Sequence, residues 1–74
     1  MSVVLYTTVG CHLCEQAREL VAMVAPDLTL TLVDVAEDDE LLARYGERIP
    51  VLMKEGSELG WPFSLLDVQQ FLAG

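Results

Sequence analysis

The period of the hydrophobic pattern changes repeatedly along this chain. Val3-Val4-Leu5-Tyr6 is a short apolar run rich in strand formers, which predicts a buried strand. Residues 7 to 10 break it. Leu13, Ala17, Leu20, Val21 and Val24 then recur at helical spacing, and Pro26 requires that this helix has already ended. Leu28-Thr29-Leu30-Thr31-Leu32 alternates strictly and continues through Val33, the period of a strand. Glu37-Asp38-Asp39-Glu40 suits a helix start, where acids oppose the positive dipole end. Leu41, Leu42 and Tyr45 would be the buried stripe of that helix, with Gly46 as its C′ residue. Val51-Leu52-Met53 is strand-like, Lys54-Glu55-Gly56-Ser57 reads as a tight turn, and a short strand returns around Glu58-Leu59. Ser64 with Asp67 three residues later forms a capping-box pattern ahead of a closing helix lined by Leu65, Val68 and Leu72.

The predicted order is β-α-β-α-β-β-α. Its first half implies parallel strands joined by a crossover, and the late hairpin adds an antiparallel edge. The fold class is therefore α/β: a four-stranded mixed sheet flanked by three helices, in a single domain over residues 1–74.

Composition narrows the function. Apolar residues make up 53% of the chain, enough for a compact core and too many for disorder. Four basic residues face twelve acidic ones, a net charge of −8 that repels phosphate backbones and anionic lipid. Nucleic acid and membranes are thus not expected partners. No apolar run reaches the roughly 18 residues of a membrane span. Met1-Ser2-Val3-Val4-Leu5-Tyr6 lacks the basic start of a signal peptide, and Thr8-Val9-Gly10-Cys11 lacks the upstream regions of a lipoprotein site. The expected compartment is the cytoplasm of a bacterium or an organellar interior. In such a reducing space, close cysteines are more often catalytic or metal-binding than structural.

The chain's only two cysteines, Cys11 and Cys14, flank its only histidine, His12. Cys11 falls at the first turn of the first helix, where unpaired N–H groups and the dipole favour a thiolate. Cys14, on the same helical face, can attack a mixed disulfide formed at Cys11. A C-x-x-C near a β-α-β pattern is a redox signature. The alternative is a non-catalytic module of the same fold, which either bridges a metal or iron–sulfur centre between two chains or docks a partner protein. A zinc site within one chain is disfavoured, because structural zinc takes about four ligands and His12 cannot easily reach a metal held by both neighbours. His12, when protonated, could tune the redox poise of the pair; otherwise it is a solvated histidine. Arg18 is expected to pair with Glu15 or another local acid, and the acids from Glu37 to Glu40 to be a solvated helix start.

Val3-Val4-Leu5-Tyr6, Gly10-Cys11-His12-Leu13-Cys14-Glu15 and Arg48-Ile49-Pro50-Val51 together carry a resemblance. Over essentially its full length the chain resembles the thioredoxin superfamily, most closely the glutaredoxin branch and its small bacterial glutaredoxin-like members. The resemblance implies a thiol–disulfide oxidoreductase with Cys11 attacking and Cys14 resolving. It also implies a cis Ile49-Pro50 bond facing the sulfurs, beside which an extended substrate segment would bind. Arg48, adjoining that bond, is the basic candidate for a substrate carboxylate or a thiolate, or else a surface arginine balancing acids. Trp61 and Phe63, around Pro62, are expected to pack into the core, with Trp61 also a substrate-side candidate. The pattern departs from glutaredoxins in three places. Thr7-Thr8-Val9 stands where a basic residue is usual, His12-Leu13 where Pro-Tyr is usual, and Gly60-Trp61-Pro62-Phe63 where a Gly-Gly turn binds glutathione. Expected partners are protein or low-molecular-weight disulfides. Glutathione or a thioredoxin-type reductase is the candidate electron source. No organic cofactor or metal is expected, and the chain is expected to be a monomer.

Overall fold

The computed structural model describes residues 2–74, so Met1 of the expected domain lies outside the described residues. Strand β1 (Val3–Thr7) is central and has a partner on either side. Strand β2 (Leu30–Asp34) pairs with it in parallel, and β3 (Val51–Lys54) antiparallel. Strand β4 (Ser57–Gly60) completes the sheet against β3, giving the order β2-β1-β3-β4. Helices α1 (His12–Val24), α2 (Asp39–Tyr45) and α3 (Leu65–Ala73) cover its faces, and a 3₁₀ turn, Val35–Glu37, leads into α2. This is the expected mixed α/β arrangement.

Alternation along β1 divides the core in two. Val3 and Leu5 are fully buried with Leu52, against Ala17 and Val21 of α1 and Val68 and Leu72 of α3. Tyr6 points to the other face, where Val35, Tyr45 and Val51 pack. There the Tyr6 and Tyr45 rings stack at 4.4 Å between centroids. Thus α1 and α3 share one face and α2 takes the other.

Local signals act as their chemistry requires. Ser64 and Asp67 form a complete capping box at α3. Asp38 caps α2, its Oδ1 accepting from the Glu40 and Leu41 amides. In the hairpin, Glu55 and Gly56 both have positive φ, 50° and 84°, as the tight turns that match strand twist demand.

Several expectations change. Alternation predicts a strand from residue 28, yet β2 begins at Leu30, with Leu28 packed on the core just before it. Leu32, midway along the edge strand β2, is 45% exposed. In α2 only Tyr45 of the expected stripe is buried, while Leu41 is half-buried and Leu42 exposed. Gly46 is right-handed helical (φ −53°, ψ −33°), not the left-handed C′ residue expected. Its need for glycine is close approach: an added Cβ would lie 2.5 Å from the Leu42 carbonyl oxygen. Leu65 is exposed too, leaving Val68 and Leu72 as the buried stripe of α3. Lys54, expected in a turn, ends β3 and is only 6% exposed. Its Nζ donates to the Phe71, Leu72 and Gly74 carbonyls, closing the C-terminal end of α3.

Candidate active site

The register brings the candidate residues to one end of the sheet. Thr7, the last residue of β1, lies opposite Asp34, the last of β2. Tyr6 opposes Val51 and Val51 opposes Gly60, so Pro50 and Trp61 sit at that same end. The loop leaving β1 there turns at Gly10, whose φ of 80° favours glycine, and delivers Cys11 to α1.

Cys11 is the N-cap of α1, extended at φ −86° and ψ 105°, and so stands one residue ahead of the expected first turn. Its Sγ accepts a hydrogen bond from the Cys14 amide at 3.1 Å. The two sulfurs are joined in a disulfide. Cys14 is buried to 2% exposure, whereas Cys11 is half-buried. An incoming sulfur therefore meets Cys11 first.

Beside this bond lies an open cleft of about 350 Å³, lined by residues 7 to 11 and by Cys14, Glu15, Arg18, Leu32 and Asp34. One stripe of α1 supplies Cys11, Cys14, Glu15 and Arg18, at offsets that share a helix face. Leu32 and Asp34, two apart on β2, supply the opposite wall. Asp34 is held there by accepting from the Ala36 amide at 2.9 Å.

The other predicted residues fall elsewhere. His12 follows the cap and is 93% exposed at its side chain, with Nδ1 4.0 Å from Glu15 Oε2. Arg48 is turned to Glu58 at 3.6 Å and lies over the Tyr45 ring at 5.3 Å, and it does not line the cleft. Ile49-Pro50 is cis, and so is Trp61-Pro62. Pro50 is buried, its carbonyl accepting from the Trp61 amide at 3.1 Å. Trp61 is half-buried and packs edge-on against Phe63 at 5.0 Å, the core role preferred from the sequence.

Arg18 does not form the local ion pair expected of it: among the described residues no carboxylate lies within 4.0 Å of it. Its spacing, four residues past Cys14 and seven past Cys11, was the available signal for a place beside the sulfurs. Among the described residues, no three His, Cys, Asp or Glu side chains gather as a metal-binding group. A centre bridged by the two sulfurs would therefore draw its remaining ligands from a second chain. No helix among the described residues is long and apolar enough to cross a membrane.

A family model described as a glutaredoxin-like domain (DUF836) matches residues 2–73. Among solved structures, the crystal structure of the structural-genomics target XcR50 from X. campestris is 36% identical, with a TM-score of 0.86. That match covers 97% of this chain and 96% of the other. The solution structure of XcR50 gives 36% identity and a TM-score of 0.85, covering 99% and 94%. The solution structure of protein Ne2328 from Nitrosomonas europaea is 26% identical, with a TM-score of 0.78 over 96% and 88% of the two chains. No curated protein matches the chain.

Proposed function

The chain belongs to the glutaredoxin-like domain family, and on that premise we propose that it is a small thiol–disulfide oxidoreductase. The observation that carries the proposal is the asymmetric pair: Cys11 half-buried at a helix cap, Cys14 buried behind it, the two sulfurs within bonding reach. In the reduced protein the Cys11 thiolate attacks one sulfur of a substrate disulfide and expels the other as a thiolate. Cys14, deprotonated, then attacks Cys11 Sγ, releases the second substrate thiol and closes the protein disulfide. Two electrons pass to the substrate. Two external thiols, or a dithiol reductase, return the pair to its reduced state.

The Cys14 amide supports the first step, because a donor aimed at Cys11 Sγ favours its charged form. Ile49, Pro50 and Trp61 would seat the substrate chain on the sheet side of the sulfurs. Arg48 would join them on leaving Glu58, and His12 would tune the potential from solvent. The substrates are protein or low-molecular-weight disulfides; glutathione is one candidate donor, and the working compartment is the cytoplasm.

Equilibration in graded glutathione redox buffers, acid trapping and intact-mass measurement test this reading. The expected result is a sharp loss of two mass units with a midpoint between about −200 and −270 mV, the span of glutaredoxins and thioredoxin. Thiols that stay reduced across the series would overturn it and leave the non-catalytic module.

A further inference from the structure

The chain has four cationic side chains. Arg44 pairs with Glu40, Arg48 with Glu58, and Lys54 donates to the end of α3. Among the described residues Arg18 alone has no such partner, although twelve acidic residues are available. It lines the cleft that holds Cys11 and Cys14. A cation left free in so acidic a protein, beside its one reactive bond, is available to a ligand.

We propose that Arg18 is a specificity residue that binds the carboxylate of a low-molecular-weight thiol or disulfide lying in the cleft between α1 and β2. The proposal rests on the oxidoreductase reading above and names the substrate class of that same centre. Arg18 stands seven positions past Cys11, about 10 Å along the helix axis. The side chain leans toward the helix N-terminus and shortens that span. The ligand is therefore a thiol whose carboxylate stands several bonds from its sulfur. Leu32, 45% exposed, and the Thr7 and Thr8 side of the cleft offer the intervening chain a partly apolar wall. A volume of about 350 Å³ suits a small molecule and not a folded partner.

Glu15 and Asp34 line the same cleft and oppose an anion, as does the net charge of −8. That opposition makes the proposal sharp. Net charge alone would make an anionic thiol the slower reductant, whereas Arg18 at short range makes it the faster one. In the step concerned, an external thiolate attacks Cys11 Sγ, the Cys11–Cys14 bond breaks and Cys14 leaves as a thiolate. A second external thiolate then attacks the mixed disulfide, frees Cys11 and departs as the symmetrical disulfide. Two electrons have entered the protein.

The test compares reduction of the oxidised protein by 6-mercaptohexanoate and by 6-mercaptohexanol, at equal thiolate concentration and low salt. The two probes match in length and differ in the carboxylate. The carboxylate should be faster by about three- to fivefold, the advantage an exposed ion pair supplies. Arg18→Gln should bring the ratio below one, Arg18→Lys should restore part of it, and 0.5 M salt should bring it close to one, since screening is then short-ranged. A ratio at or below one in the unaltered protein, or one that Arg18→Gln leaves unchanged, overturns the subsite alone. If neither probe opens the disulfide, the oxidoreductase reading falls and the subsite with it.

Discussion

The main-chain N–H of Cys14 donates to Cys11 Sγ across 3.1 Å, so the residue proposed to resolve the mixed disulfide also holds in place the sulfur proposed to attack. The contact is also the N-cap bond of α1, a role that oxygen side chains fill in most helices. Serine at position 11 can keep the cap while losing the nucleophile. Cys11→Ser should thus abolish turnover and leave the melting temperature near that of the reduced parent. Cys11→Ala should abolish turnover and also cost about 1 kcal/mol through the lost cap. Thermal melts of both variants beside activity separate the two roles. Turnover by Cys11→Ser would reject Cys11 as the attacking group.

Replacing the second sulfur should give a different result. Cys14→Ser leaves Cys11 exposed enough to attack but removes the group that releases the product in the proposed mechanism. A mixed disulfide with the substrate thiol should then accumulate and appear in the intact mass. The new hydroxyl would sit in a 2% exposed position, so a loss of about 1–3 kcal/mol should accompany the trapping.

Lys54 joins the sheet to the last helix. Its nearly buried ammonium meets the Phe71, Leu72 and Gly74 carbonyls, which the last main-chain bond of α3, Gly74 N–H to the Gln70 carbonyl, leaves without an amide donor. Lys54→Met keeps the length and apolar stem but leaves those acceptors to water. The expected cost is about 1.5–3 kcal/mol, the range for a hydrogen bond to a charged group. In a domain of this size that lowers the melting temperature by roughly 5–20 °C. The disulfide lies at the opposite end of β3, so the redox midpoint should stay where it is. A melt within about 2 °C of the parent would show that water satisfies those carbonyls equally well.

Element order was readable from the chain because each local signal agreed with its neighbours. The apolar run of β1, the stripe of α1 and the Ser64–Asp67 box all mark boundaries without help from tertiary contacts. What escaped depends on which neighbour covers a residue. Leu28, Leu30 and Leu32 share a face by alternation, but Leu32 is 45% exposed and forms a cleft wall. The two arginines exchanged places for a related reason. Arg48 is adjacent in sequence to the cis-proline pair, yet Glu58 on β4 and the Tyr45 ring draw it away. Arg18 is remote in sequence but one helix stripe returns it to the sulfurs. A lysine in a turn-like run cannot reveal that its partner is a helix end seventeen residues on.

Gly46 tests whether close approach or backbone freedom selects that glycine. With φ of −53°, alanine suits the backbone, and on propensity alone it would stabilise by up to about 1 kcal/mol. The space contradicts propensity, since an added Cβ would lie 2.5 Å from the Leu42 oxygen and 3.1 Å from its Cδ1. The Leu42 side chain is exposed and can swing away, but the carbonyl is held by the Gly46 amide at 2.8 Å. Gly46→Ala should therefore destabilise by about 1–3 kcal/mol, the usual cost of forcing atoms into a filled space. Denaturant unfolding should show a lower midpoint with an unchanged slope. A rise in midpoint would mean that the last turn of α2 relaxes freely and that propensity decides this position.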